Sequence, residues 1–341
     1  MLHFDSDYME TAAPEILARL LKLKEEQNTA YGFDPYSESA ARKIAEACGK
    51  PEALVKFLAG GTQSNALLID ALLNRYEGVI AATSGHISVH EAGAVEYCGH
   101  KVITLPGKEG KLTVASVEQY LIDFYNDETH EHMTPPGLIY LSQPTEYGTI
   151  YTKAELATLR AVCDRFQLKI YLDGARLGYA LTAKGADLNL EDIAGLCDAF
   201  YIGGTKVGAL FGEAAVIPDP HLVPHFFTQI KQHGALLAKG WVLGIQFDTL
   251  FSDELYFRLA AHGNKMASIL KDGLKKKGCA FYLDSPTNQQ FIVMENRALA
   301  ALAEKASFEY WEKYDENHTV IRLITSWATK EEDIKKLLSF L

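Results

Sequence analysis

From about residue 52 to residue 210, short apolar runs alternate with amphipathic stretches of helical period. Strands that each return through a crossover helix build a parallel sheet, so this alternation predicts an α/β fold. The expected strands are rich in β-branched or aromatic residues: Leu54–Ala59, Val79–Ala82, Lys101–Leu105, Gly137–Ser142, Leu168–Asp173 and Asp198–Gly203. In open parallel sheets, ligands gather beyond the carboxyl ends of the strands. The chemistry is therefore expected in Gly60–Asn65, Ser84–Glu91, Gln143–Gly148, Asp173–Arg176 and Gly203–Lys206. Gly212–Pro218 predicts a returning strand at the sheet edge, and one long helical pattern runs from His221 to about Phe251. After Gly278 the pattern shortens into strand, helix and strand (Ala280–Leu283, Gln290–Glu295, Val320–Ile324), then a last helix opened by Thr329-Lys330-Glu331-Glu332.

A chain of 341 residues exceeds the usual single core, so three parts are expected. These are an N-terminal arm and helix over 1–46, a large domain over 47–250 and a small C-terminal α/β domain over 251–341. The formal charge of -11 argues against nucleic acid as a partner, because a phosphate backbone needs a broad positive footprint. It leaves room for one small cationic pocket. Cys48, Cys98, Cys163, Cys197 and Cys279 are scattered without a CxxC pair, so neither a disulfide framework nor a metal site is expected. The start of the chain lacks a basic region followed by an apolar run, and no apolar stretch is long enough for a bilayer. The expected location is cytoplasmic, without membrane contact.

Against that frame a few residues stand out. Gly60-Gly61-Thr62-Gln63-Ser64-Asn65 follows a strand and opens a helix, where free N–H groups and the helix dipole would hold a phosphate, or where the turn is merely capped. The dinucleotide and triphosphate fingerprints are absent. Asp173 ends an apolar strand and needs a cationic partner: either Arg176 pairs with it, or a protonated ring nitrogen does and Arg176 is left for a substrate carboxylate. Lys206, behind Gly203-Gly204-Thr205, is either a solvated loop lysine or an amine whose pKa is lowered for condensation with an aldehyde. His86 lies where a strand passes into a helix and either stacks on a flat ring and handles protons or is a structural hydrogen-bonder. Arg322, in an alternating strand, is a second carboxylate clamp or an exposed arginine. A phosphate cup, a strand-end aspartate and a strand-end lysine, in that order on one parallel sheet, together point to pyridoxal phosphate (PLP).

With these residues in hand, the chain resembles the family of threonine aldolases and β-eliminating lyases, fold type I PLP enzymes. The resemblance runs nearly end to end: Ser6-Asp7, Tyr31-Gly32-Phe33-Asp34-Pro35, Gly61-Thr62-Gln63-Ser64-Asn65, Gly85-His86-Ile87, Glu91-Ala92-Gly93-Ala94, Asp173-Gly174-Ala175-Arg176-Leu177, Thr205-Lys206 and Arg322-Leu323 with Thr325. It implies that Lys206 bonds to the cofactor, Asp173 pairs with its ring nitrogen, Gly61 and Thr62 hold its phosphate and His86 stacks on its ring. Ser6, Tyr31, Arg176 and Arg322 would surround the substrate, with Arg176 shared between substrate and cofactor. Lys239, within Lys231–Gly240, would reach the phosphate of a neighbouring subunit, so a homo-oligomer is implied, at least a dimer and commonly a tetramer. The implied reaction is retro-aldol cleavage of L-threonine or L-allo-threonine to glycine and acetaldehyde, with β-elimination or phenylserine cleavage as alternatives. One departure concerns the loop Ser142–Gly148: Thr145 stands where many members have a histidine that touches the substrate hydroxyl. The base would then be His86, a water or Glu146.

Overall fold

The computed structural model describes residues 1–341. At its centre is a seven-stranded sheet in the order Leu54–Leu58, Glu213–Ile217, Ala199–Gly203, Lys169–Asp173, Pro136–Ser142, Gly78–Ala82 and Val102–Leu105. The α/β expectation holds, and the six anticipated strands appear with ends shifted by about one residue.

The returning strand is not at an edge. Glu213–Ile217 is inserted between Leu54–Leu58 and Ala199–Gly203 and runs antiparallel to both, while the other strands run parallel to one another. Its sequence, Glu-Ala-Ala-Val-Ile, is buried at every position, as a strand covered on both faces must be. Leu54–Leu58 is the edge instead, and only part of it is buried.

The faces of the sheet separate by alternation. Ile139, Ile170, Leu172, Phe200 and Ile202 join the core beneath helices Val114–Asn126 and Lys153–Phe166. Tyr140, Tyr171 and Tyr201 belong to the opposite core, with Leu67, Leu68 and Leu72 of helix Gly61–Leu72. Each of these tyrosines lies two positions before a strand end, so it shares a face with Ser142, Asp173 or Gly203 respectively.

The helical pattern over 221–251 is broken into Phe226–Gln232 and Trp241–Leu250. The first helix ends at His233, where Gly234 adopts φ +66, a left-handed stop that glycine takes at no steric cost. A 22-residue helix, Leu255–Lys276, leads to a second sheet, in the order Glu309–Lys313, His318–Ile324, Gln289–Glu295 and Ala280–Phe281, all antiparallel. Its core gathers Phe4, Leu270, Ile292, Leu323 and Ile334. The start of the chain is stitched to this region: Leu2–His3 pairs in parallel with Ala306–Ser307, and the Ile324 N–H donates to the Phe4 carbonyl. Helices Pro14–Leu23 and Pro35–Ala47 then return to the main core through Ile16, Ala40 and Ile44.

Candidate active site

At the carboxyl ends of the parallel strands is a cleft of about 340 Å³, to which all five anticipated loop segments contribute. Two strand ends approach closely there. A Cβ on Gly203 would lie 2.2 Å from the Ala175 carbonyl oxygen, and one on Gly174 would lie 1.9 Å from the Tyr201 carbonyl oxygen. Only glycine fits at either position.

Asp173 is 5% exposed and receives four hydrogen bonds. Its Oδ2 accepts from Tyr140 at 2.6 Å and Asn65 Nδ2 at 2.9 Å, and its Oδ1 from Tyr201 at 2.6 Å and the Ala175 N–H at 2.9 Å. Burial alone would raise its pKa, but the nearby His86 and these donors outweigh it and hold the carboxyl below its ordinary value. The ion pair with Arg176 that the sequence left open is not formed, because Asp173 is already satisfied. Arg176 closes on Asp7, with Nε 2.7 Å from Oδ2 and Nη2 3.0 Å from Oδ1, and Asn288 adds a third donor at 2.9 Å.

Lys206 is half-buried at the end of Ala199–Gly203, with its amine 5.7 Å from the centre of the Tyr8 ring. Burial and the neighbouring Arg176 charge lower its pKa to about 8, so a reactive share of neutral amine exists near neutral pH. The solvated-loop reading does not hold. Glu213, 4% exposed, braces the turn before it: Oε1 accepts from the Thr205 hydroxyl at 2.8 Å and Oε2 from the Gly204 N–H at 3.0 Å. Burial pushes this carboxyl well above its ordinary value.

His86 Nδ1 lies 2.7 Å from Glu91 Oε1, so the buried carboxylate orients the ring and leaves its Nε2 edge free of that contact. The same Glu91 oxygen accepts from Asn65 Nδ2 at 2.6 Å, and Asn65 Oδ1 accepts from Tyr171 at 2.8 Å. Asn65 thus bridges Glu91 to Asp173. Gly61 and Thr62 line the cleft where helix Gly61–Leu72 begins without a side-chain cap, so its first N–H groups are left for an anion.

Arg322 is not an exposed strand arginine. The unanticipated strand Glu309–Lys313 covers it: Nε donates to Glu309 at 2.8 Å, Nη1 to Gln289 at 2.6 Å, and the guanidinium lies 4.8 Å from the centre of the Trp311 ring. Ser6 accepts from the Tyr8 N–H at 3.3 Å and lies beside the cleft rather than in its lining. Tyr31 and Lys239 are not brought to this cleft within one chain. The Tyr31 N–H donates to Ala238 at 3.0 Å, and the Tyr31 ring lines a separate hollow of about 250 Å³ with Phe33 and Phe227. Gly32 and Gly240 meet so closely that a Cβ on Gly240 would lie 2.8 Å from the Gly32 nitrogen, which ties both residues to that distant patch.

Sequence reasoning missed Asp7, Glu213 and the three tyrosines. The tyrosines carried a legible signal, since each sits two residues before a strand end on the same face. Asp7 was legible only as part of the Ser6-Asp7 pair and without a role, as its partner is 169 positions away. The assembled groups suit a flat, phosphate-bearing aldehyde with a protonated ring nitrogen: an amine at one end, a sealed and anionic carboxylate for the nitrogen, and uncapped N–H groups for the phosphate.

The comparisons with known proteins agree. The family model described as β-eliminating lyase matches residues 3–297. A low-specificity L-threonine aldolase of a Pseudomonas species is 31% identical, over 98% of this chain and 95% of its own length. The Saccharomyces cerevisiae low-specificity L-threonine aldolase is 24% identical over 86% of this chain and 73% of its own. A solved Leishmania major threonine aldolase is 44% identical and superimposes with a TM-score of 0.96 over 99% of this chain and 98% of that one. Aspartate aminotransferase from Thermus thermophilus, 16% identical with a TM-score of 0.71 over 100% of this chain and 90% of that one, shows the fold type I architecture alone. The chain belongs to the β-eliminating lyase family and is similar over nearly its whole length to the low-specificity threonine aldolases within it.

Proposed function

We propose that the protein is a PLP-dependent aldehyde-lyase that cleaves L-threonine or L-allo-threonine to glycine and acetaldehyde. The observation that carries this reading is the pairing in one cleft of Lys206, poised near neutral pH, with Asp173, held anionic by four donors. When bound, the cofactor supplies an electron sink for the pair released from the substrate's Cα–Cβ bond. Lys206 would anchor its aldehyde carbon and Asp173 would keep its ring nitrogen protonated. Gly61 and Thr62 would hold its phosphate, and His86, oriented by Glu91, would stack on its ring. Arg176 and Arg322 take the substrate carboxylate, which competes with Asp7 for the Arg176 fork, while Ser6 closes that end.

Tyr31 and Lys239 act from a second copy of the chain. The exposed aromatic patch around Tyr31, Phe33 and Phe227 supports a dimer, and a tetramer of paired dimers is the expected assembly. Residues 1–46, 47–250 and 251–341 act as arm, cofactor domain and small domain. Five unpaired cysteines support a cytoplasmic location, and no helix is long and apolar enough to cross a membrane.

The test is incubation with L-threonine, L-allo-threonine and L-phenylserine, with glycine and aldehyde measured as products. Release of pyruvate and ammonia instead would establish β-elimination, and dominance of benzaldehyde release would establish a phenylserine aldolase. Lys206→Ala is expected to lose the visible absorption of the bound cofactor together with turnover; retention of full cleavage would refute the assignment.

A further inference from the structure

The loop Ser142–Gly148 forms part of the cleft wall, and its geometry separates two adjacent residues. Thr145 is fully engaged by protein: its hydroxyl lies 2.7 Å from Thr149 Oγ1 and 3.4 Å from the Glu109 carbonyl. Glu146, beside it in the cleft wall, is only half engaged. Its Oε1 accepts from the His86 N–H at 2.9 Å and the Ser142 hydroxyl at 2.7 Å, whereas its Oε2 is buried without any hydrogen-bond partner. A buried carboxylate oxygen without a donor is unfavourable, and a hydroxyl arriving with a ligand removes that penalty. Glu91 also has an unpartnered oxygen, but its other oxygen is shared by Asn65 and the His86 ring, so it serves to orient the histidine.

We propose that Glu146 is the group that takes the proton from the substrate's β-hydroxyl, on Oε2. The inference rests on the aldol-cleavage reading. The hydroxyl O–H bond breaks, its proton passes to Oε2 and its electron pair becomes the second bond of the departing aldehyde's carbonyl. The Cα–Cβ bond breaks with its pair left to the Cα side, for which the bound cofactor would supply the electron sink. One proton then returns to Cα, so glycine forms with no net gain or loss of protons. Burial favours this role, because it holds the Glu146 carboxyl above its ordinary value and so makes it a better proton acceptor than an exposed glutamate.

The test uses the holoenzyme and two reactions. Cleavage of L-threonine and L-phenylserine needs the hydroxyl proton removed. Exchange of the glycine α-proton with deuterium oxide, followed by NMR, needs the same cofactor and arginines but no hydroxyl. Glu146→Gln, which retains an acceptor for the His86 N–H and Ser142, is expected to lower cleavage roughly 100-fold or more. Glycine exchange should stay within about threefold, and the acid limb of the wild-type pH–rate profile should vanish. If the variant does not accumulate as folded protein, Glu146→Asp carries the same comparison, with a drop of at least about tenfold in cleavage alone. Unchanged cleavage, or an equal fall in both reactions, overturns the proposal. So does a result in which only His86→Phe separates the two reactions. Pyruvate release by the wild type would instead overturn the aldol reading before any variant is made.

Discussion

Asp173 and Glu213 flank the strand Ala199–Gly203 on its two sides and are almost equally sealed from water, at 5% and 4% exposure, yet their pKa values move in opposite directions. Asp173 receives four hydrogen bonds, three of them from side chains fixed in the core, and its pKa falls. Glu213 receives two, both from the turn before Lys206, and its pKa rises. Burial is common to both, so the difference lies in how many donors the fold aims at each carboxylate and which charges stand nearby. One strand end carries a fixed anion, and the other an adjustable group beside the reactive amine.

The comparison is tested most severely by the two isosteric amides. Asp173→Asn is expected to reduce kcat by about 100- to 1000-fold, because it removes a preorganised charge. Glu213→Gln should stay within about tenfold of wild type, since it loosens a turn without touching that charge. Equal losses in steady-state kinetics would break the distinction. A finer probe removes a single donor. In Tyr201→Phe the Asp173 pKa should rise, as one hydrogen bond to a charged group is lost. A carboxylate with a depressed folded pKa adds stability above its unfolded pKa, and that stability is lost as pH falls through the folded value. The variant should therefore begin to unfold at a higher pH in acid titration followed by circular dichroism.

The smallest expected effect concerns Lys206 itself. In cofactor-free protein, labelling of the amine against pH should report a midpoint near 8, because the neutral amine appears as pH rises through its pKa. Arg176→Gln removes a nearby positive charge and should raise the midpoint, whereas Glu213→Gln removes a negative one and should lower it. Shifts of the same sign would show that the turn's geometry, rather than charge, sets the reactivity of Lys206.

Much of this molecule can be read from local pattern. The runs ending at Asp173 and Gly203 announce strands by composition, and the polar residues after them announce a cleft, because a parallel sheet leaves only that end open to ligands. The pattern misleads where pairing is non-local. Glu213–Ile217 looks like an edge strand and is instead wedged between two others, since nothing in five residues encodes a neighbour 155 to 163 positions earlier. Arg322 reads as exposed until Glu309–Lys313 folds over it.

The sequence by itself determined the α/β class, the strand ends and the identities of Lys206, Asp173, Arg176 and His86, because periodicity and glycine placement act within a few residues. Only the tertiary structure decided the states of those groups. It brought Asp7 to Arg176, aimed Tyr140 and Tyr201 at Asp173, committed the Thr145 hydroxyl to Thr149 and left Glu146 Oε2 without a donor. The physical reason is that a buried group's charge depends on donors and charges within a few ångströms, and in this fold most of those come from distant parts of the chain.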